Sequence, residues 1–215
     1  MPEKRTIVIT ISRQMASGGA YIGHLVAREL GYKYVEREVL YRAAAELGVD
    51  IPGLAGIDEC CSGFVDDLMK SFMFGAPEAP YIPPVRRPVY DRELFETESR
   101  IIRAIADQYN AVIVGHCGYC ILGGRPGLVN IYIHAPKDFR AQRLRSFHSM
   151  PAEEARAEIE ESDQRRSKFI KTMSDSDWDD ARNYHLCIDA QAIGFEAAQR
   201  MIVSLAEKMK RDMGV

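Results

Sequence analysis

The chain lacks any apolar run near the roughly 20 residues that a membrane span needs, so the sequence excludes a helical membrane protein. It also lacks a basic excess. The formal net charge of -3 gives no global field for a nucleic-acid polymer, and any anion site must be local. Cysteines are few and odd in number: Cys60, Cys61, Cys117, Cys120 and Cys187. Met1-Pro2-Glu3-Lys4-Arg5 leads into a strand-like run too short and too β-branched for a secretion signal, so reduced thiols and a cytoplasmic protein are expected. Repeats and low-complexity tracts are absent.

What is present is ordinary for a folded domain. The 215 residues suit one large domain, or a core with an inserted lid, and 47% hydrophobic residues supply a sizeable core. Strand patterns fall at residues 6–12, 32–35, 111–115, 129–135 and 184–190. Helical patterns fall at 18–31, 37–47, part of 58–73, 91–109, from Pro136 onward, through the charged stretch after Pro151, and at 194–211. Gly31 ends the first helix. The proline-rich GAPEAPYIPPVRRP cannot sit in a helix or central strand and reads as an exposed arm. Short apolar strands alternating with helices imply an α/β fold, a parallel sheet covered on both faces. Ligands in such sheets bind beyond the carboxyl ends of the strands.

The loop after the first strand, in ITISRQMASGGAYIG, is the first candidate. A strand, a glycine-bearing turn and a helix N-terminus aim backbone N–H groups and the positive end of the helix dipole at one point. Gly18 and Gly19 carry no Cβ to block a phosphate, and Ser17 can donate a hydroxyl. Ser-Gly-Gly also suits an ordinary strand-to-helix turn. The Walker pattern G-x-x-x-x-G-K-[ST] is not met: Gly19 stands where its lysine would be and Ala20 where its Mg²⁺-binding hydroxyl would be.

Four stretches in order carry a likeness: ITISRQMASGGAYIG, GYKYVEREVLYRAAAELGVD, AVIVGHCGYCIL, and VNIYIHAPKDFRAQRL through DQRRSKFIKTMSDSDWDDARNYHLCIDA. The chain resembles the cytidylate-kinase-like family of P-loop nucleoside-monophosphate kinases, which generally lacks the Walker lysine. The resemblance implies a three-layer P-loop kinase fold across residues 1–215: a five-stranded parallel sheet, helices on both faces and a helical lid at about 151–182. It implies transfer of the γ-phosphoryl group of ATP, with Mg²⁺, to CMP or a similar small acceptor. The ATP site would comprise Ser12, Ala16, Ser17, Gly18, Gly19 and Ala20. Ala16 departs from the first family glycine, and Gly115-His116-Cys117 stands where the family usually has Gly-Arg-Gly. Residues 49–90 would be an acceptor-side insertion, and whether they also make a homodimer arm is open.

Without the lysine, the site needs other cations, because phosphoryl transfer rests on positioning and charge neutralisation. Asp163 and Arg166 share a helix face at i and i+3, with Arg165 and Lys168 beside them. In the resembling family this Asp-x-x-Arg belongs to the lid, although such a run also suits a salt-bridged surface. Arg13 lies beside the loop. Glu36, Tyr41 and Arg42 follow the second strand, where they can face an acceptor. Glu36 can instead hold Mg²⁺ through water or complement a helix N-terminus. His116 follows the third strand and can donate to an acceptor phosphate when protonated, or serve as a satisfied polar residue under the loop. Cys117-x-x-Cys120 with Cys60-Cys61 gives the alternative of a zinc- or thiol-dependent protein, against buried thiols as small hydrophobes. A nucleotide-binding regulator with weakened catalysis is the other alternative, motivated by Ala16, Ala20 and His116.

Overall fold

Ile7 to Ile11 form a run that can be buried on both faces, and the chain places it at the centre of the sheet. In the computed structural model, which describes residues 5–36, 39, 92–148 and 150–214, strand β1 is Val8–Arg13. It pairs in parallel with β3 (Ala111–Val114) on one side and β4 (Leu128–His134) on the other. β2 (Lys33–Val35) and β5 (Leu186–Asp189) form the edges, giving the order β2-β3-β1-β4-β5. Val8 lies level with Ala111 and Leu128, so the three central strands start together, and at the carboxyl edge β1 and β4 run two or more residues past the end of β3 at Val114.

Alternation along the strands divides the core in two. Ile7, Ile9 and Ile11 face α1 (Gly19–Leu30) and α7 (Phe195–Asp212), where Ile22, Val26 and Ile202 are fully buried. Val8, Ala111 and Ile113 face α2 (Arg92–Gln108) and the one-turn α3 (Gly118–Ile121), packing on Ile101, Ile102 and Ile105. Each buried isoleucine stabilises the fold by about 1.5–3 kcal/mol. A smaller cluster joins Ala16 to Ala141 and Leu144 of α4 (Lys137–His148) and to Ala155 and Ile159 of α5 (Ala152–Ser174). This cluster anchors the loop after β1 to a helical pair outside the sheet.

The five strands and the helices covering both faces agree with the expected three-layer fold. Gly31 ends α1 with φ 65, its N–H reaching Ala27 and Arg28 carbonyls. Two segments differ from the sequence reading. The strand expected at 184–190 runs only from Leu186 to Asp189. A 3-10 turn (Ala181–Asn183) precedes it, and the Asp189 carboxylate accepts from the Gln191 and Ala192 amides to start the short α6 (Ala190–Ile193). Gly194, at φ 78, then separates α6 from α7. Among the described residues, no helix is long and apolar enough to cross a membrane. Apart from Val39, the helix expected at 37–47 lies outside the described residues, as do the one within 58–73, the proline-rich arm, Tyr41, Arg42, Cys60 and Cys61.

Candidate active site

The loop between β1 and α1 turns sharply at the carboxyl edge of the sheet. Ala16 takes a left-handed backbone, φ 58, and Gly18 follows at φ 90. Gly18 precedes α1 and, among the described residues, no side chain caps this end and no acid lies in its first turn. The amides of a first turn have no partners within their own helix, so this end of α1 is suited to an external anion.

The two glycines are required by the protein's own packing. A Cβ at Gly18 would lie 2.6 Å from Cε1 of Phe195, and one at Gly19 would lie 2.4 Å from Cβ of Arg13. Ser17 is fully buried, and its hydroxyl donates to the Gln14 carbonyl at 2.8 Å, with the Ile133 carbonyl at 3.3 Å. It braces the turn from inside. Ala16 is 4% exposed, with its methyl in the cluster under α4 and α5. Ser12 is buried near the Tyr184 hydroxyl. Ala20 is also buried, its carbonyl 3.3 Å from the Tyr34 hydroxyl.

Guanidinium groups surround this loop on its carbonyl side. Arg166 Nη1 donates to the Arg13 carbonyl at 3.2 Å. Arg140 Nη1 donates to the Met15 carbonyl at 3.3 Å, and Arg143 Nε to the Ala16 carbonyl at 3.0 Å. Arg140 also holds the Ala135 carbonyl at 3.0 Å and Asp163 Oδ2 at 2.9 Å. Arg143 stacks on Phe195, 4.6 Å from the ring centroid, and so joins the loop's two supports. The adjacent Arg165 turns elsewhere, pairing with Glu158 and Glu161 on its own helix. Of the pair expected to serve the site, only Arg166 is brought to the loop. Arg140 and Arg143 were not among the sequence candidates. The available signal was their i, i+3 spacing at the start of a helix that leaves the carboxyl edge beside the loop.

A second polar group lies across β1 and β3. Arg13 Nη2 pairs with Glu36 Oε1 at 3.1 Å, and Tyr34 donates to Glu36 Oε2 at 2.7 Å. The Arg13 guanidinium lies over Gly115, where a Cβ would come within 2.4 Å of Nη1. His116 bridges the Glu36 carbonyl through Nε2 and the buried Glu98 through Nδ1, 3.3 Å from Oε1. The carbonyl can only accept, so Nε2 donates to it. Glu36 and His116 are thus brought together, with Arg13 as the link to the loop. Among the described residues, no group of three or more His, Cys, Asp or Glu side chains could hold a metal ion.

The model of the cytidylate kinase-like family matches residues 8–192. The chain belongs to that family. Direct comparison with curated proteins finds no match. Among solved structures, an uncharacterized protein from Eubacterium ventriosum ATCC 27560 is 20% identical with a TM-score of 0.67, covering 94% of this chain and 99% of that one. Shikimate kinase from Bacteroides thetaiotaomicron is 12% identical with a TM-score of 0.52, covering 94% and 98%. A gluconokinase from Sinorhizobium meliloti 1021 is 16% identical with a TM-score of 0.50, covering 97% and 99%. At these identities the structural matches show a shared P-loop kinase fold. Family and fold together support a nucleotide or small-molecule kinase.

Proposed function

We propose that this protein transfers the γ-phosphoryl group of ATP to a small acceptor, a nucleoside monophosphate such as CMP. The observation that carries the reading is the uncapped N-terminus of α1, reached by a loop whose carbonyls at Arg13, Met15 and Ala16 are held by Arg166, Arg140 and Arg143. A trans peptide points its N–H opposite to its carbonyl. Fixing carbonyls on one side therefore helps fix amides on the other, where phosphate oxygens would lie.

The residues fit a bound Mg–nucleotide. Asp163 Oδ1 and Arg13 Nε are buried without a hydrogen-bond partner, and unpartnered buried polar atoms are costly enough to be uncommon. Asp163 would face the metal's water shell, since Mg²⁺ needs few protein ligands. ATP would bring the phosphoryl group and Mg²⁺ would shield its charge. This chain's part is to hold and orient: amides at Gly18, Gly19 and Ala20 on the phosphates, Arg166 closing from the 151–182 segment as a lid, and Arg13 with Glu36 and His116 on the acceptor side. No lysine is needed if Arg13 and Arg166 supply the cationic charge. The setting is read as cytoplasmic, with small-molecule partners.

The test is ADP formation with Mg–ATP across a panel of nucleoside monophosphates, nucleosides and small hydroxylated acids. Acceptor-dependent turnover is expected. No turnover at high enzyme concentration would overturn the reading. Arg13 is already neutralised by Glu36, and Arg140 by Asp163. That favours, as a second reading, a nucleotide-binding regulator with weakened catalysis. Saturable nucleotide heat in calorimetry without turnover would support it.

A further inference from the structure

The Cys117-x-x-Cys120 pair has no part in the nucleotide site, yet it is organised in detail. Cys117 precedes α3, and the Cys120 amide donates to the Cys117 carbonyl at 2.9 Å. Residues three apart on such a turn have Cα atoms about 5 Å apart, inside the range a disulfide spans. The two side chains act on each other electrostatically, each shifting the other's thiol. Both also address one oxygen, Ser174 Oγ at the end of α5: Cys120 at 3.3 Å and Cys117 at 3.8 Å.

Their environments differ. Cys120 is half-buried and lines a cleft of about 520 Å³ with Tyr119, Ser174 and Ser176. Cys117 is 3% exposed. The Cys117 thiol and the neighbouring hydroxyls hold the Cys120 thiol below its ordinary range, against the opposing effect of burial. The Cys117 thiol is pushed up, first by Cys120 and then by burial. Ser174 directs its one proton to the Ile170 carbonyl at 2.8 Å, and a hydroxyl can rotate to serve a thiolate instead. Cys117 also sits at φ 55, beside His116 at φ 52. A left-handed backbone disfavours a side-chain-bearing residue, so this thiol is held where glycine would be easier.

We propose that Cys117 and Cys120 are an oxidisable dithiol, converted by hydrogen peroxide to an intramolecular disulfide within the cleft under the end of α5. The Cys120 thiolate attacks the peroxide oxygen. The O–O bond breaks, Cys120 becomes a sulfenic acid, and the departing hydroxide takes a proton to become water. The Cys117 sulfur then attacks the Cys120 sulfur. Its proton leaves with the hydroxyl as a second water, and the S–S bond forms. Two thiols lose two electrons in all, and one peroxide is reduced. Access sets the order, since only Cys120 opens to the cleft. Oxidation removes both S–H donors from Ser174 Oγ and so releases the 115–121 turn, with His116, from α5.

The experiment uses the full-length reduced protein treated with stoichiometric hydrogen peroxide, followed by mass spectrometry of the intact chain and of its peptides. Loss of two hydrogens, a Cys117–Cys120 link and reversal by dithiothreitol are expected. At neutral pH, iodoacetamide should alkylate Cys120 about tenfold faster than exposed Cys187, whose thiol burial pushes up. In Cys117→Ser, peroxide should carry Cys120 to a sulfinic acid instead. The proposal is overturned if the wild-type pair stays alkylatable after Cys187 is oxidised. It is equally overturned if Cys120 goes to a sulfinic acid in the wild type, or if either thiol links to Cys60, Cys61 or Cys187. The readout is chemical, so it stands or falls separately from the kinase reading.

Discussion

Replacing Arg140 by methionine tests how the loop is held. Arg140 is 5% exposed and serves three partners: Asp163, the Met15 carbonyl and the Ala135 carbonyl. Methionine keeps much of the aliphatic stem and removes every donor. Breaking one half of a buried ion pair costs about 3–5 kcal/mol, because the other charge stays behind. The Asp163 side chain is 22% exposed, so water relieves part of that and the low end applies. Two carbonyls losing a donor add up to about 1 kcal/mol each where water does not replace it. The expected cost is about 3–5 kcal/mol in urea unfolding, or a midpoint lowered by about 6–20 °C for a chain of this size. Combining Arg140→Met with Asp163→Leu should recover about 2 kcal/mol of that loss, since no charge is then stranded. At a temperature where Arg140→Met remains folded, calorimetry should show weaker ATP binding, because the loop has lost its grip at Met15. A single-variant cost below about 1 kcal/mol, or a double variant as damaging as the sum of its singles, would refute the ion pair as the loop's support.

Arg166→Ala should lower kcat by about 10- to 100-fold while changing ATP affinity less; steady-state kinetics with equal losses in both would contradict a lid role. Gly18→Ala should cost about 1–3 kcal/mol, because its Cβ meets Phe195 at 2.6 Å and its φ of 90 disfavours a side chain. A thermal midpoint unchanged from wild type would show that Phe195 yields freely. His24, in α1 against the Tyr34 ring, has its pKa lowered by burial and then by Arg28. The folded state therefore resists protonation: stability is full above pH 6.5 and falls as pH drops below it. Urea titrations should show that decline reduced in His24→Gln, and parallel profiles for the two proteins would refute the assignment.

Local features were legible in the residues. The β-branched run of β1, the glycine at the end of α1 and the apolar stripe Ile101, Ile102 and Ile105 each act within one or two turns, so pattern alone places them. The boundaries that failed did so for local reasons of another kind. Asp189 captures two amides ahead of it and starts a helix where the apolar pattern continues as a strand.

The site was harder, because its order comes from contacts across more than a hundred residues. Arg165 and Arg166 are adjacent in a charged run, yet successive helical positions point about 100° apart. One therefore meets Glu158 and Glu161, and the other meets the Arg13 carbonyl. Arg140 and Arg143 lie on a helix with few apolar residues, so no periodicity marks which face turns inward. The same distance accounts for the glycines. Sequence reasoning assigns Gly18 and Gly19 to phosphate approach, while the structure fills the space of their missing Cβ atoms with Phe195 and Arg13. A loop without the Walker lysine is then rigid for a different reason. Its carbonyls are tied by arginines from α4 and α5, its buried serine braces the turn, and its glycines admit the side chains beneath it. Positive charge reaches the loop through helices that pack on it, so the geometry of the loop and the supply of charge depend on the same α4–α5 contacts.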